Sequence, residues 1–218
     1  MVRNTQQIVK QIEEAPLVPV FFHADKQVSV EVMLACYEAG LRVFEFTNRG
    51  VEAKAVFEHL RQIAVEKCPD LLLGMGSLTS GDLALEFTAL GADFVVSPVM
   101  LEEMGQVCKT KNIVWIPGCG SVTEVYKASL LGAEIIKVFP AKVLGATFVK
   151  SILPIFPHLK LMPTGGVLPD PDDIKKWYDA GVVTVGVGSA LFGNVNTLLK
   201  DKAAAVQKMK ALIGEIGK

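Results

Sequence analysis

AGLRVFEF (39–46), LGADFVVS (90–97), LGAEIIKV (131–138) and AGVVTVGV (180–187) repeat one pattern: a small or apolar residue, a glycine, then a short strand-like run. The glycines, Gly40, Gly91, Gly132 and Gly181, are separated by 51, 41 and 49 residues. Each is placed to end a helix in a left-handed conformation, which glycine adopts without strain. Four more apolar runs alternate with them, the first ahead of Gly40: LVPVFF (17–22), LLLGMG (71–76), NIVWIP (112–117) and LKLMP (159–163). All eight runs are too short for buried helices. The stretches between them (28–39, 51–66, 80–90 and 121–131 among others) read as helices, with a further amphipathic helix before the first strand and a last one over 196–214. Eight strand–helix units in about 200 residues predict a (β/α)8 TIM barrel. An open doubly wound sheet is the alternative, but no G-x-G-x-x-G follows the first run. The expected domain is 1–218, with 1–16 as an N-terminal helix segment packing on the barrel.

Composition narrows the function. The 218 residues carry a net charge of −1, with 50% hydrophobic and 21% charged residues. The hydrophobic fraction excludes a disordered chain, and the charge balance argues against nucleic acid as a partner. No apolar run approaches the ~20 residues of a membrane span. The segment MVRNTQQIVKQIEE (1–14) shows no secretory core, and the four cysteines show no C-x-x-C spacing, so a reduced, cytoplasmic protein is expected. The three histidines are too scattered for a metal constellation.

Parallel strands buried on both faces should be apolar, so charge within a run is informative. Arg42, Asp93, Glu134 and Lys160 stand where strands begin and can reach solvent. Glu45 and Lys137 stand deeper. By alternation, Glu45 shares a face with Val43 and Thr47, and Lys137 shares one with Ile135 and Phe139; both faces are expected to point into the barrel near its top. An isolated buried charge is costly, so the two should compensate one another or do chemistry. A lysine held there is a candidate nucleophilic amine; a purely structural ion pair is the alternative. Gly165–Gly166 and Gly188–Ser189 follow the last two runs. Their backbone N–H groups could hold a phosphate, with a helix beginning after Ser189 adding its dipole.

The segments RVFEFTNRG (42–50), LGMGSL (73–78), VVSPV (95–99), IPGCGSVTE (116–124), IIKVFPA (135–141), MPTGGV (162–167) and VGVGSAL (185–191) resemble, in order and spacing, the aldolases of 2-keto-3-deoxy-6-phosphogluconate (KDPG) and 4-hydroxy-2-oxoglutarate (KHG). The resemblance implies class I chemistry on a homotrimeric barrel with no metal or other cofactor, acting on a phosphorylated keto acid. Lys137 matches the Schiff-base lysine and Glu45 the general acid/base. Arg49 and Thr164 match residues that grip the substrate carboxylate, Ser77 and Pro98 stand beside the pyruvyl group, and Phe139 packs on the imine. Gly165, Gly166, Gly188 and Ser189 match the phosphate loops. Ser77 stands where relatives place threonine, and Val99, Cys119 and His23 also depart from the pattern. These departures leave open the galactonate epimer or an unphosphorylated substrate. A phosphosugar isomerase or epimerase, or a non-catalytic binder, are the more distant alternatives.

Overall fold

The computed structural model describes residues 3–217; Met1, Val2 and Lys218, which belong to the expected 1–16 and 1–218 spans, lie outside the described residues. Eight strands alternate with helices: β1 Val18–Phe21, β2 Val43–Thr47, β3 Leu72–Gly76, β4 Val95–Ser97, β5 Trp115–Cys119, β6 Ile135–Val138, β7 Lys160–Pro163 and β8 Gly186–Val187. The helices are α1 Thr5–Glu14, α2 Lys26–Glu38, α3 Ala53–Lys67, α4 Gly81–Ala89, α5 Glu102–Lys111, α6 Val122–Leu130, α7 Ala141–Ile152, α8 Pro171–Tyr178, α9 Val195–Lys200 and α10 Lys202–Ile216. The strands pair in parallel in the order β7-β6-β5-β4-β3-β2-β1-β8. A bridge between Thr164 and Gly186 joins the two ends. The predicted TIM barrel is therefore the observed architecture.

The four repeat glycines all adopt positive φ, between +93° and +103°. Each ends its helix sharply and turns the chain into the next strand, which is why the pattern recurs. The last helix is not continuous as the sequence suggested. Asp201 ends α9 and caps α10 through its side chain, accepting the Ala204 N–H at 3.0 Å. The capping carboxylate wins over the apolar periodicity that spans both helices.

Side-chain alternation divides the apolar residues into two cores. Val18, Val43, Leu72, Phe94, Val96, Ile116, Ile135 and Met162 fill the barrel interior. Ile8, Val9 and Ile12 of α1 and the adjoining Ala15 join that inner cluster. Phe44, Phe46, Ile136 and Val138 face outward into the layer between strands and helices. α1 therefore closes the end of the barrel where strands begin, each buried Val or Ile contributing about 1.5–3 kcal/mol of apolar burial. An Asn4–Gln7 capping box starts this helix. Glu13 pairs with Lys160 at 2.5 Å, and the Gln11 amide donates to the carbonyls of Arg42 and Asp70. Two further strand-entry charges are paired there, Arg42 with Asp70 and Asp93 with Arg61, while Glu134 is exposed. With one end plugged by a helix, the other end, where the strands finish, is left for function.

Candidate active site

Lys137 and Glu45 meet inside the barrel. Lys137 Nζ lies 3.7 Å from Glu45 Oε1, with the residues 6% and 1% exposed. The alternation that buries Val43 and Ile135 in the inner core carries these two side chains to the same face, two residues nearer the strand ends. The pair is not closed as a structural bridge would be. Its separation exceeds hydrogen-bond length, and Glu45 Oε2 is buried with no hydrogen-bond partner among the described residues. A buried carboxylate oxygen without a donor is costly and rare. It suits a group that exchanges protons with something brought into the site.

Three glycines make room for this arrangement. A Cβ on Gly76 would stand 2.0 Å from Glu45 Oε1, so the carboxylate lies directly over the β3 backbone. A Cβ on Gly118 would stand 2.3 Å from the Pro98 carbonyl oxygen. Gly118 is the register partner of Lys137, so this close approach brings Pro98 beside the lysine strand. A Cβ on Gly165 would stand 2.9 Å from the Phe139 ring, and that ring's centroid is 5.3 Å from Lys137 Nζ. Gly76 and Gly118 were not singled out from the sequence as positioning residues. The available signal was a small residue on the strand next to each buried charge.

The other expected residues surround the pair unevenly. Thr164 follows β7, and its buried Oγ1 has no hydrogen-bond partner among the described residues. Ser77 follows β3 in a left-handed conformation (φ +62°), an uncommon conformation for a residue with a side chain. Arg49 is exposed, with no side-chain hydrogen bond or ion pair among the described residues. It lines a cavity of about 230 Å³ together with Thr47, Gly188 and Ser189, walled by Phe21, Phe22 and Phe192. Larger hollows of about 420 and 520 Å³ lie outside the barrel mouth and are lined by no buried charge, so size does not mark the site.

Gly165 and Gly166 both take positive φ, +90° and +92°. The helix expected directly after Ser189 is only a three-residue 3-10 turn, Ser189–Leu191, and α9 begins at Val195. The dipole contribution anticipated there is correspondingly reduced, because three residues align few peptides. His23 accepts the Asp25 N–H through Nδ1 at 3.0 Å, a local turn contact. Cys119 is buried in the outer core, and burial, with the Glu124 carboxylate adding, pushes its thiol up to about 12. Trp115 and Trp177 are also buried in that core.

Residues 8–209 match the family described as KDPG and KHG aldolase. The chain belongs to this family. A 2-dehydro-3-deoxy-phosphogluconate aldolase of Treponema pallidum is 32% identical over 161 residues, 73% of this chain and 75% of that one. A 2-dehydro-3-deoxy-6-phosphogalactonate aldolase of Escherichia coli is 27% identical over 122 residues, 56% of this chain and 58% of that one. Among solved structures, a KDPG aldolase from Legionella pneumophila, with pyruvate captured as a covalent carbinolamine intermediate, superposes with a TM-score of 0.82. It is 25% identical, covering 93% of this chain and 96% of that one. This member of the aldolase family is an aldolase, a lyase, and the isomerase and epimerase alternatives are set aside. Among the described residues no helix is long and apolar enough to cross a membrane.

Proposed function

We propose that this aldolase works by class I chemistry on Lys137, reversibly cleaving KDPG to pyruvate and D-glyceraldehyde 3-phosphate. The observation that supports it most is the buried, loosely paired Lys137–Glu45 couple at the finishing end of the barrel. With one ammonium proton passed to Glu45, the Lys137 amine attacks the C2 ketone to give a carbinolamine, and Glu45 returns that proton to the carbinolamine oxygen, which leaves as water to give an iminium. Glu45 then takes the proton from the C4 hydroxyl. The C3–C4 bond breaks, its electron pair entering the iminium to form an enamine, and the aldehyde leaves. Glu45 returns the proton to C3, and water hydrolyses the pyruvyl iminium, freeing Lys137 and pyruvate. The barrel interior favours these steps by holding amine and carboxylate in fixed geometry away from bulk water.

In the same proposal Arg49 and the Thr164 hydroxyl bind the carboxylate, with Ser77 and Pro98 beside the pyruvyl group and Phe139 against the imine. Arg49 and Thr164 both present polar groups without partners among the described residues, as ligand-binding groups do. The backbone of Gly165, Gly166, Gly188 and Ser189 holds the 6-phosphate. No metal or cofactor enters this scheme. A cytoplasmic homotrimer is the proposed working form, carried by the family resemblance and checked by sedimentation. The galactonate relative favours a second reading, in which the epimeric 2-keto-3-deoxy-6-phosphogalactonate or KHG is also cleaved.

The test is borohydride reduction in the presence of pyruvate, followed by peptide mass mapping. A reduced pyruvyl adduct on Lys137 is expected, with its loss in Lys137→Ala. Adduct elsewhere, or none under conditions that trap pyruvate on the L. pneumophila enzyme, refutes class I chemistry at this residue. Relative turnover on KDPG, its galactonate epimer and KHG ranks the substrates.

A further inference from the structure

Lys142 stands beside the glycine loop that follows β7, at a position no part of the scheme above uses. Its backbone N–H donates to the Gly165 carbonyl at 2.9 Å, and the preceding Ala141 N–H donates to the Thr164 carbonyl at 2.9 Å. The first turn of α7 is thus tied to the loop. It is also separated from the rest of that helix, because Gly145 takes a non-helical conformation (φ +71°, ψ 165°).

The Lys142 side chain then runs along the loop. A Cβ on Gly166 would stand 2.5 Å from Lys142 Cβ, 3.3 Å from Cγ and 3.1 Å from Cδ. The missing side chain at Gly166 is therefore the channel in which the lysine stem lies. The ammonium is only two bonds beyond Cδ, within reach of the same loop. Among the described residues it has no ion-pair partner or hydrogen bond. The carboxylates where this loop runs into α8 are engaged elsewhere: Asp173 accepts the Leu168 N–H, and Asp170 accepts those of Asp172 and Asp173.

The loops assigned to the phosphate offer backbone N–H groups and one hydroxyl, but no charge. Backbone donors can hold a dianion, and a cation beside them strengthens that hold. Lys acts on phosphate as a point charge at the end of a flexible stem, and here part of that stem is already ordered against Gly166. We propose that Lys142 is a specificity-determining residue for phosphorylated substrate, its ammonium joining the Gly165–Gly166 loop in binding the 6-phosphate. This rests on the phosphate reading given above.

The test compares KDPG with the same keto acid lacking its phosphate, for wild type, Lys142→Ala and Lys142→Arg. Lys142→Ala is expected to raise KM for KDPG about threefold to tenfold, with kcat nearly unchanged and KM for the unphosphorylated acid unmoved. Lys142→Arg restores most of the loss, and the difference shrinks as salt rises. If wild type prefers KDPG and Lys142→Ala keeps that preference undiminished, the lysine proposal is wrong and the phosphate loops stand. Equal losses on both substrates reduce Lys142 to a structural role and also overturn it. If wild type does not distinguish the two acids, the phosphate reading itself fails and takes this proposal with it. Lys142 is exposed, so each variant should fold, and a thermal melt verifies this.

Discussion

Adding one methyl group at Gly76 should disable Glu45, the proposed acid/base, without removing it. A Cβ there would lie 2.0 Å from Glu45 Oε1, 2.7 Å from Cδ and 3.0 Å from Cγ. Non-bonded atoms settle near ~3.5 Å, so the carboxylate oxygen must retreat by about 1.5 Å. Gly76 has no positive φ, so Gly76→Ala adds no backbone strain of the left-handed kind. The neighbouring β2 positions are buried, leaving Glu45 to absorb most of the shift by rotating its side chain. A misplacement of ~1 Å in a positioned group can cost about 100-fold in rate. kcat for KDPG cleavage, read by coupling pyruvate release to lactate dehydrogenase, should therefore fall about 100-fold. Overpacking should cost about 1–3 kcal/mol of stability, leaving a folded protein whose melting curve is shifted but cooperative. Lys137 remains, so a pyruvyl adduct should still be trapped on long incubation with borohydride. Adding Gly76→Ala to Glu45→Gln should cost little more than Glu45→Gln alone, because both act through one carboxylate. A folded Gly76→Ala enzyme with kcat within about threefold of wild type would falsify this reasoning, as would full additivity in the double variant.

Thr164→Val replaces a buried hydroxyl that has no protein partner by a methyl of similar size. It should leave stability unchanged or raise it by up to about 1 kcal/mol in urea unfolding, while raising KM for pyruvate-containing substrates. A large loss of stability would show that the hydroxyl is structurally bonded. All four cysteines are free and buried, with the thiols of Cys108 and Cys119 pushed up to about 12 by burial. A thiol reagent such as DTNB should react slowly with the folded protein and release four equivalents after unfolding; a fast thiol in the native state contradicts this. At Asp70, burial works to raise the carboxyl, but the Tyr37 hydroxyl and the Arg42 guanidinium outweigh it and hold the group below the usual carboxylate value. Its contribution to stability is therefore present above the unfolded value of ~4 and is lost as pH falls through the depressed folded value. Asp70→Asn should weaken that acid-side dependence, measured as the melting temperature between pH 5 and pH 2.

Much of the fold is legible in the chain because the barrel repeats one local problem. Gly40, Gly91, Gly132 and Gly181 end four helices in a left-handed conformation that glycine adopts without strain, and they mark the strands that follow. Period-two alternation in RVFEF and IIKV places Glu45 and Lys137 on the inward face, since successive strand residues point to opposite sides. The break between α9 and α10 was not legible, because helical periodicity runs through Asp201 and only its capping geometry shows the interruption. The single turn after Ser189 was hidden for a similar reason. Gly193 turns the chain at φ +57°, and the Asn194 side chain accepts the Asn196 and Thr197 N–H groups, so the cap at 194 rather than Ser189 sets the start of α9.

The site divides along the same line. The sequence by itself determined the strand count and the inward faces, with Glu45 and Lys137 on them, since these follow from local conformation and residue type. Only the tertiary structure decided how far apart Lys137 and Glu45 stand, that Gly76 lets the carboxylate lie on the neighbouring strand, and that Lys142 runs along Gly166. Those relations join residues tens of positions apart, and their distances are set by strand register and close packing around the closed sheet. No local pattern in the chain encodes them.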